Sequence, residues 1–349
     1  MNSQPSPKQA LFKDRWQSYC SWVSELNKNA GKSSMWQGLI DDFNIRTFPD
    51  DPSRELFRPK AFRGYNFYSK RHENFGFAVK RALLSVAYFF ARATNLIRNR
   101  IWQINVGGLS VEQFAFHPAG LHHLQGLGLR QGLDEFCNRF GLSPYSATGV
   151  KAYYIGSKLL TYISTIENPR VIEIGGGFGN LAAVLHHKHP VRQYVIVDLP
   201  EMILHSSLAL QTYFPEQSFY FLHPGSTDRY DPNQPGFYFC VPESMAQLPD
   251  STFDLGFNID SFQEMTEPQV AGYLQLMQRV LRQDAHLINL NRRKYLTAER
   301  YDNNPLLYPY HPGNRVVQWE TDFFMDRVFN FDRVRLESWL WRAEKINKS

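Results

Sequence analysis

Glu173, Gly175, Gly177 and Gly179 fall at alternate positions in VIEIGGGFGN, Val171–Asn180, and Asp198 closes the next apolar run, in YVIVDLP. Glycines so spaced allow a tight turn and a close approach of backbone to a ligand. An acid at the end of a buried strand can hold two ribose hydroxyls. A dinucleotide fingerprint, G-x-G-x-x-G, sets a pyrophosphate on the next helix N-terminus. Here its third glycine is replaced by Asn180. The pattern that fits in full is E-x-G-x-G-x-G, from Glu173 to Gly179. A carboxylate facing the mouth of the site at Glu173 would repel a pyrophosphate and attract an ammonium. The residues point to a nucleoside that carries an amino acid, S-adenosylmethionine (SAM). Glu173 and the three glycines would take its methionine end and Asp198 its ribose. A dinucleotide and a purely structural glycine turn are the alternatives.

Leu199 is expected beside the adenine. The loop Glu243–Met245 is placed to reach it, with Ser244 as a hydrogen-bonding group and Met245 as a soft apolar contact. An ordinary turn is the plain alternative. The segment NIDSFQEM, Asn258–Met265, lies where a transferred methyl group would point, with Asn258 bordering the cofactor. Asp260 and Glu264 are four apart and share a face if the segment opens a helix. There they could orient an acceptor hydroxyl and take its proton; helix capping is the bland reading. Two carboxylates are too few for a metal site, and no metal is expected. His311, in YPYHP, is a third candidate base, flanked by Tyr308 and Tyr310, which could stack on a sugar ring. Methyl transfer from a sulfonium is an in-line displacement, helped by holding the acceptor oxygen in place. A base within hydrogen-bond reach helps a weakly acidic hydroxyl.

The elements that must carry these residues alternate after Pro169. Strands are expected at Arg170–Ile174, Gln193–Val197, Phe219–Leu222, Phe237–Val241, Phe253–Ile259 and His286–Leu290. Phe237–Val241 is taken as the third core strand. Helices are expected from Leu181 to His187, from Glu201 to Tyr213 after Pro200, and from Glu267 to Leu281 with Thr266 as cap. His186, His187 and His189 are read as favourable charge at a helix C-terminus rather than as metal ligands. A helix around Trp319–Phe329 and a strand around Arg333–Trp341 close the chain. The fold class is α/β, a Rossmann-like doubly wound sheet with ligands at the carboxyl ends of its strands. Residues 1–144 read as a mainly helical accessory region that holds acceptor specificity, with a loose tail over 1–15. A helix over Ala147–Ile166 opens the cofactor domain, 145–349.

The chain has 349 residues, 43% hydrophobic and 20% charged, as in soluble globular proteins. Aromatics make up 15%, which suits either carbohydrate stacking or a large core. The net charge of +5 permits an anionic partner without demanding one. Its densest basic stretch, Arg54–Arg81, reads as a solvated face or a contact for an anionic surface. Ala82–Ile97 is apolar apart from Arg92 and small polar residues. It is short for a membrane span and reads as a buried helix or a membrane-surface anchor, so peripheral contact through 54–100 is carried as an expectation. Cys20, Cys137 and Cys240 form no disulfide or zinc pattern, and the N-terminus lacks a signal-peptide core. A cytoplasmic location, at most peripheral to the inner membrane face, is expected, with homo-oligomers allowed.

The combination of EIGGGFGNLA, YVIVDLPE and FDLGFNIDSFQEM resembles the sugar O-methyltransferases of bacterial polysaccharide and antibiotic gene clusters. The resemblance covers about residues 145–291. VDLPE and SFQEM are its more specific parts; the glycine motif belongs to SAM-dependent methyltransferases in general. It implies a class I methyltransferase fold, SAM as cofactor and a sugar or glycan hydroxyl as acceptor. Glu173, Gly175, Gly177, Gly179 and Asp198 match the family's cofactor motifs, and Ser261, Glu264 and Met265 its segment after the fourth strand. Asn180 stands where members often carry a further glycine, which alters the helix start.

Rival chemistries lack their marks. No N-P-P-Y-like turn follows the Phe253–Ile259 strand, and no cysteine follows a proline, so nucleic acid is not an expected partner. A nicotinamide-dependent oxidoreductase and a methyltransferase of another small molecule are the alternatives kept.

Overall fold

The computed structural model describes residues 6–29, 49, 68–69, 105–106, 109–110, 120–144, 147–293, 295–296, 302–328 and 339–348. Apart from Tyr68–Ser69, the basic stretch Arg54–Arg81 and the apolar Ala82–Ile97 lie outside the described residues. The chain divides into two units. One is Met1–Leu56, Leu159–Asp322 and Leu336–Ser349; the other is Phe57–Lys158 and Phe323–Arg335. The expected boundary at 144/145 therefore moves, and the first helix goes with the sheet.

The first unit is built on eight strands: β1 (Arg170–Ile174), β2 (Gln193–Val197), β3 (Phe219–Leu222), β4 (Gly236–Cys240), β5 (Phe253–Ile259), β6 (Leu281–Arg292), β7 (Arg315–Thr321) and β8 (Trp339–Lys345). Their order across the sheet is β7-β8-β6-β5-β1-β2-β4-β3. From β6 to β3 every pair is parallel, while β8 runs antiparallel to both β6 and β7. This is a Rossmann-like doubly wound sheet, extended by β3 at one edge. The physical reason shows in the sequence. β2, β4 and β5 are buried at every position, as parallel strands covered on both faces must be. The chain leaves β1 toward β2 and returns to its other side at β5, which makes β1/β5 the switch point where such sheets bind ligands.

The helices in chain order are α1 (Pro7–Asn29), α2 (Arg130–Phe140), α3 (Ala147–Leu160), α4 (Asn180–Lys188), α5 (Pro200–Tyr213), α6 (Glu267–Val280) and α7 (Phe323–Val328). α6 starts where Thr266 N–H donates to Gln269 Oε1 at 2.8 Å, with Pro268 in its first turn, as expected. α4 spans slightly more than the expected run. Its His186 is not a charged end group: its ring meets Phe214 and Phe237 edge-on, and burial drives its pKa down to about 4. His189 instead pairs its Nε2 with Ile166 O at 3.0 Å.

The loose tail expected over 1–15 is a helix from Pro7. α1 packs on the edge of the sheet and on α5. Phe12 stands edge-on to Phe219 with centroids 4.9 Å apart, and Trp16 and Tyr19 are fully buried. Trp16 Nε1 donates to Leu204 O at 3.4 Å and Tyr19 Oη to Pro200 O at 3.1 Å. Arg15 donates to Phe219 O at 2.8 Å and pairs with Asp228 at 3.1 Å. The buried apolar anchors of α1 begin only at Phe12, after a mostly polar stretch.

Toward the C-terminus, Trp319 lies in β7 rather than in a helix. The alternation of Arg315–Thr321 lets it pair with β8, and the helix begins only at Phe323. The last strand is described over Trp339–Lys345; residues 333–338 of the expected strand lie outside the described residues.

In the second unit, α2 ends on Gly141 at φ +65°, and Leu142–Ser143 pairs antiparallel with Tyr68–Ser69. Tyr154 stacks on Phe324 at 3.9 Å between centroids, beside His123. Among the described residues no helix is long and apolar enough to cross a membrane, and no cluster of His, Cys, Asp and Glu is built to hold a metal. All three cysteines are buried thiols.

Candidate functional site

The turn after β1 carries Gly175, Gly177 and Gly179 at φ +76°, +54° and +72°, a conformation that glycine adopts without strain. It is tied down at both ends. Gly175 N–H donates to Val197 O at 2.8 Å, and Gly177 N–H donates to Asp198 Oδ2 at 2.7 Å. The second oxygen of Asp198 accepts from Leu199 N–H at 2.7 Å. The carboxylate is thus aimed by two backbone donors, and each oxygen keeps a lone pair for a ligand. Burial pushes its pKa up to about 6 against the pull of those two N–H groups. Leu199 beside it is 40% exposed, an apolar side chain left uncovered next to an acid. A methyl group built on Gly177 meets nothing within 4 Å, so the turn is open there; one built on Gly175 would strike Ser261 Oγ at 2.1 Å. The turn fits a nucleoside ligand at Gly177 and packs against protein at Gly175.

Glu173 is buried at this turn: a methyl group on Gly176 would lie 3.3 Å from the Glu173 carboxyl carbon. Tyr194 Oη donates to Glu173 Oε2 at 2.7 Å. Desolvation pushes the Glu173 carboxyl up to about 8, with Tyr194 opposing and Asp198 reinforcing the shift.

Beyond β4 the chain makes a short 3-10 turn, Pro242–Gln247. Ser244 is buried in it, and Met245 packs against the main core. Burial pushes the pKa of the Tyr273 hydroxyl on α6 up, and the Asp198 and Glu243 carboxylates add to that shift.

After β5 the expected helical turn is a 3-10 turn, Phe262–Glu264, and α6 waits until Glu267. Asp260 precedes that turn at φ +65°, a left-handed backbone rarely taken by a side-chain-bearing residue. Its carboxylate accepts from the Gln263 amide. Asn258 is buried, and its bonds are internal. Nδ2 donates to Ile174 O at 2.9 Å and to Ser261 Oγ, and Oδ1 accepts from Phe262 N–H at 3.0 Å. Its side chain therefore borders the glycine turn from within the protein. Asp260 and Glu264 are both half-buried at this end of the sheet. His311 sits on an exposed turn with its Nδ1 accepting from Gly313 N–H at 3.3 Å. Tyr308 is buried against Phe262, and Tyr310 holds the Arg342 guanidinium 4.0 Å from its ring centre, so neither presents a free face as expected.

Sequence reasoning missed Tyr194, Tyr273, Gln263 and the buried pair Asn289 and Asn291. The last two had a signal: amides two apart in an apolar strand share one face and need partners there.

No family model matches the chain, and no curated protein sequence matches it. Solved structures similar to it include methyltransferases of low sequence identity. Geranyl diphosphate C-methyltransferase from Streptomyces coelicolor A3(2) is 8% identical over 56% of this chain and 76% of its own, with a TM-score of 0.38. A geranyl diphosphate methyltransferase in complex with SAM is 9% identical over 59% and 88%, with a TM-score of 0.40. Phosphoethanolamine N-methyltransferase 2 from Haemonchus contortus is 13% identical over 62% and 60%, with a TM-score of 0.38.

Proposed function

We propose that this chain is a SAM-dependent methyltransferase that transfers a methyl group to a sugar hydroxyl. The observation that carries the cofactor is the Asp198 carboxylate, aimed by Gly177 N–H and Leu199 N–H beside an open glycine turn. Asp198 would hold the ribose hydroxyls, with Leu199 against the adenine and Tyr273 and Met245 near its far end. The Gly177–Gly179 backbone would border the methionine part, with Glu173 beneath it. When bound, the cofactor supplies an electrophilic methyl on a sulfonium. The chain's own residues hold and orient the acceptor. Asp260, fixed by Gln263, suits orienting a hydroxyl, and Glu264 receives its proton, with His311 next in line. The sugar acceptor rests on the resemblance of FNIDSFQEM and VDLPE and on the candidate bases at this end of the sheet.

Titration calorimetry with SAM and with NADH tests the cofactor: SAM should bind and NADH should not, and the reverse would make the chain an oxidoreductase. Mass spectrometry of the host's surface glycans with and without the gene tests the acceptor. Loss of one methyl group per repeat supports the sugar reading; an unchanged glycan with a changed small metabolite transfers the activity to another acceptor.

A further inference from the structure

Four buried amide side chains link the glycine turn to the loop that follows β6. Asn258, Gln263, Asn289 and Asn291 are each no more than 2% exposed. Asn258 Nδ2 holds Ile174 O, the last carbonyl before Gly175, at 2.9 Å. Ser261 Oγ supports the same carbonyl at 3.3 Å. On its other side Asn258 Oδ1 accepts from Asn291 Nδ2 at 2.8 Å, which also donates to Asn289 Oδ1 at 2.6 Å. Asn289 Nδ2 then donates to Tyr310 Oη at 2.7 Å. A branch runs from Asn291 Oδ1, which accepts from Gln263 N–H at 3.1 Å, and Gln263 in turn holds Asp260. Gln263 Oε1 accepts from Arg292 N–H at 3.0 Å.

Burying one amide without partners costs more than its hydrogen bond returns, so a row of them persists only when every member is satisfied. Such a network has few alternative arrangements, and moving one member leaves its neighbour unpaired. We infer that Asn258, Asn291 and Asn289 are positioning residues that couple the glycine turn to the Tyr308–Asn314 loop and to Asp260, so that the two halves of the site set each other's geometry. This deepens the SAM reading and rests on it for its effect on binding. The coupling itself is a property of the unliganded protein.

The test uses Tyr310→Phe, which removes only the last acceptor of the row. Amide hydrogen exchange in the unliganded full chain is read at Gly175, whose N–H is bonded to Val197 O. Exchange there should quicken by about 3- to 10-fold, the range expected when a coupled network loses one member. SAM affinity should fall by a similar factor. In an Asn291→Leu background the same substitution should change neither, because coupled residues are not additive. If Asn291→Leu does not fold, Asn289→Ala serves as the background. Unchanged exchange at Gly175 in Tyr310→Phe, or additive effects in the double variant, overturns the relay. Failure of the wild-type chain to bind SAM overturns the cofactor reading alone, since the exchange result stands without ligand.

Discussion

Tyr194 Oη donates to Glu173 Oε2 at 2.7 Å, and both side chains are buried in neighbouring parallel strands. The proton economy of the first acid of the motif follows from this pair. Burial lifts the Glu173 pKa from 4.5 to about 8. A native state that holds a proton more tightly than the unfolded chain is stabilised at low pH and loses that advantage as pH rises through the native pKa. Glu173→Gln mimics the protonated form. Its melting temperature should match the wild type near pH 4, rise above it progressively toward pH 8, and stay above it beyond. Thermal melts across pH 4–9 check this; parallel curves would mean Glu173 is charged in the native protein.

The same proton reports on ligand charge. At pH 7 a carboxyl with a pKa of about 8 is about nine-tenths protonated. A methionine ammonium settling near it favours the carboxylate and expels the proton. SAM binding at pH 7 should release close to one proton, and at pH 9.5 almost none. Calorimetry in buffers of different ionisation enthalpy measures this directly. Release of none at pH 7 would place the ammonium away from Glu173.

Asp198 works in the opposite pH range. Its pKa of about 6 means that the carboxylate proposed to hold the ribose is lost below that pH. Below pH 6 SAM affinity should therefore fall by up to about a further tenfold per pH unit, on top of the slope that Glu173 sets. Asp198→Asn keeps the shape but not the charge. It should bind SAM weakly and lose that extra slope while keeping the Glu173 one. An Asp198→Asn profile as steep as the wild type's between pH 4.5 and 6 would remove Asp198 from the ribose.

The glycines of the turn separate strain from binding. Gly175→Ala meets Ser261 Oγ at 2.1 Å and Cβ at 2.5 Å as well as a positive φ, so it should destabilise the fold by several kcal/mol, about 1–2 of them from backbone strain. Gly177→Ala has open space and should cost only the strain, about 1–2 kcal/mol. Its main effect should fall on SAM affinity, because the added methyl occupies the side open to ligand. Chemical denaturation paired with SAM titration distinguishes the two. Equal stability losses would mean that the turn relaxes.

The core sheet was legible because its strands are buried on both faces and read as unbroken apolar runs between Gly- and Pro-bearing turns. Phe237–Val241 is read as the third core strand, and β4 does lie in the core, paired with β2, with Phe219–Leu222 at the edge. The glycine turn was legible because its left-handed backbone asks only for glycines adjacent in sequence; that Asp198, 21 residues on, accepts from Gly177 N–H was not. What depends on distant partners was not. The Tyr194 hydroxyl that bonds Glu173 lies 21 residues away, and Asn258 bonds Ile174 and Asn291 across strands, which no local pattern announces. Trp319 in β7 and the burial of His186 likewise follow from tertiary pairing, which overrides local preference.

α1 gives the last test, because its contacts join the N-terminal residues to the element that presents Asp198. Trp16 is fully buried, and Tyr19 Oη bonds Pro200 O, the first carbonyl of α5 after Leu199. Trp16→Ala should destabilise the sheet unit by about 3–5 kcal/mol, as large aromatic truncations in a core do. Tyr19→Phe removes one hydroxyl, whose buried partner then loses a bond, and should cost about 1 kcal/mol. Urea denaturation of full-length variants measures both. A Trp16→Ala loss under about 1 kcal/mol, in the range of surface substitutions, would show that α1 lies loosely on the sheet and does not belong to its core.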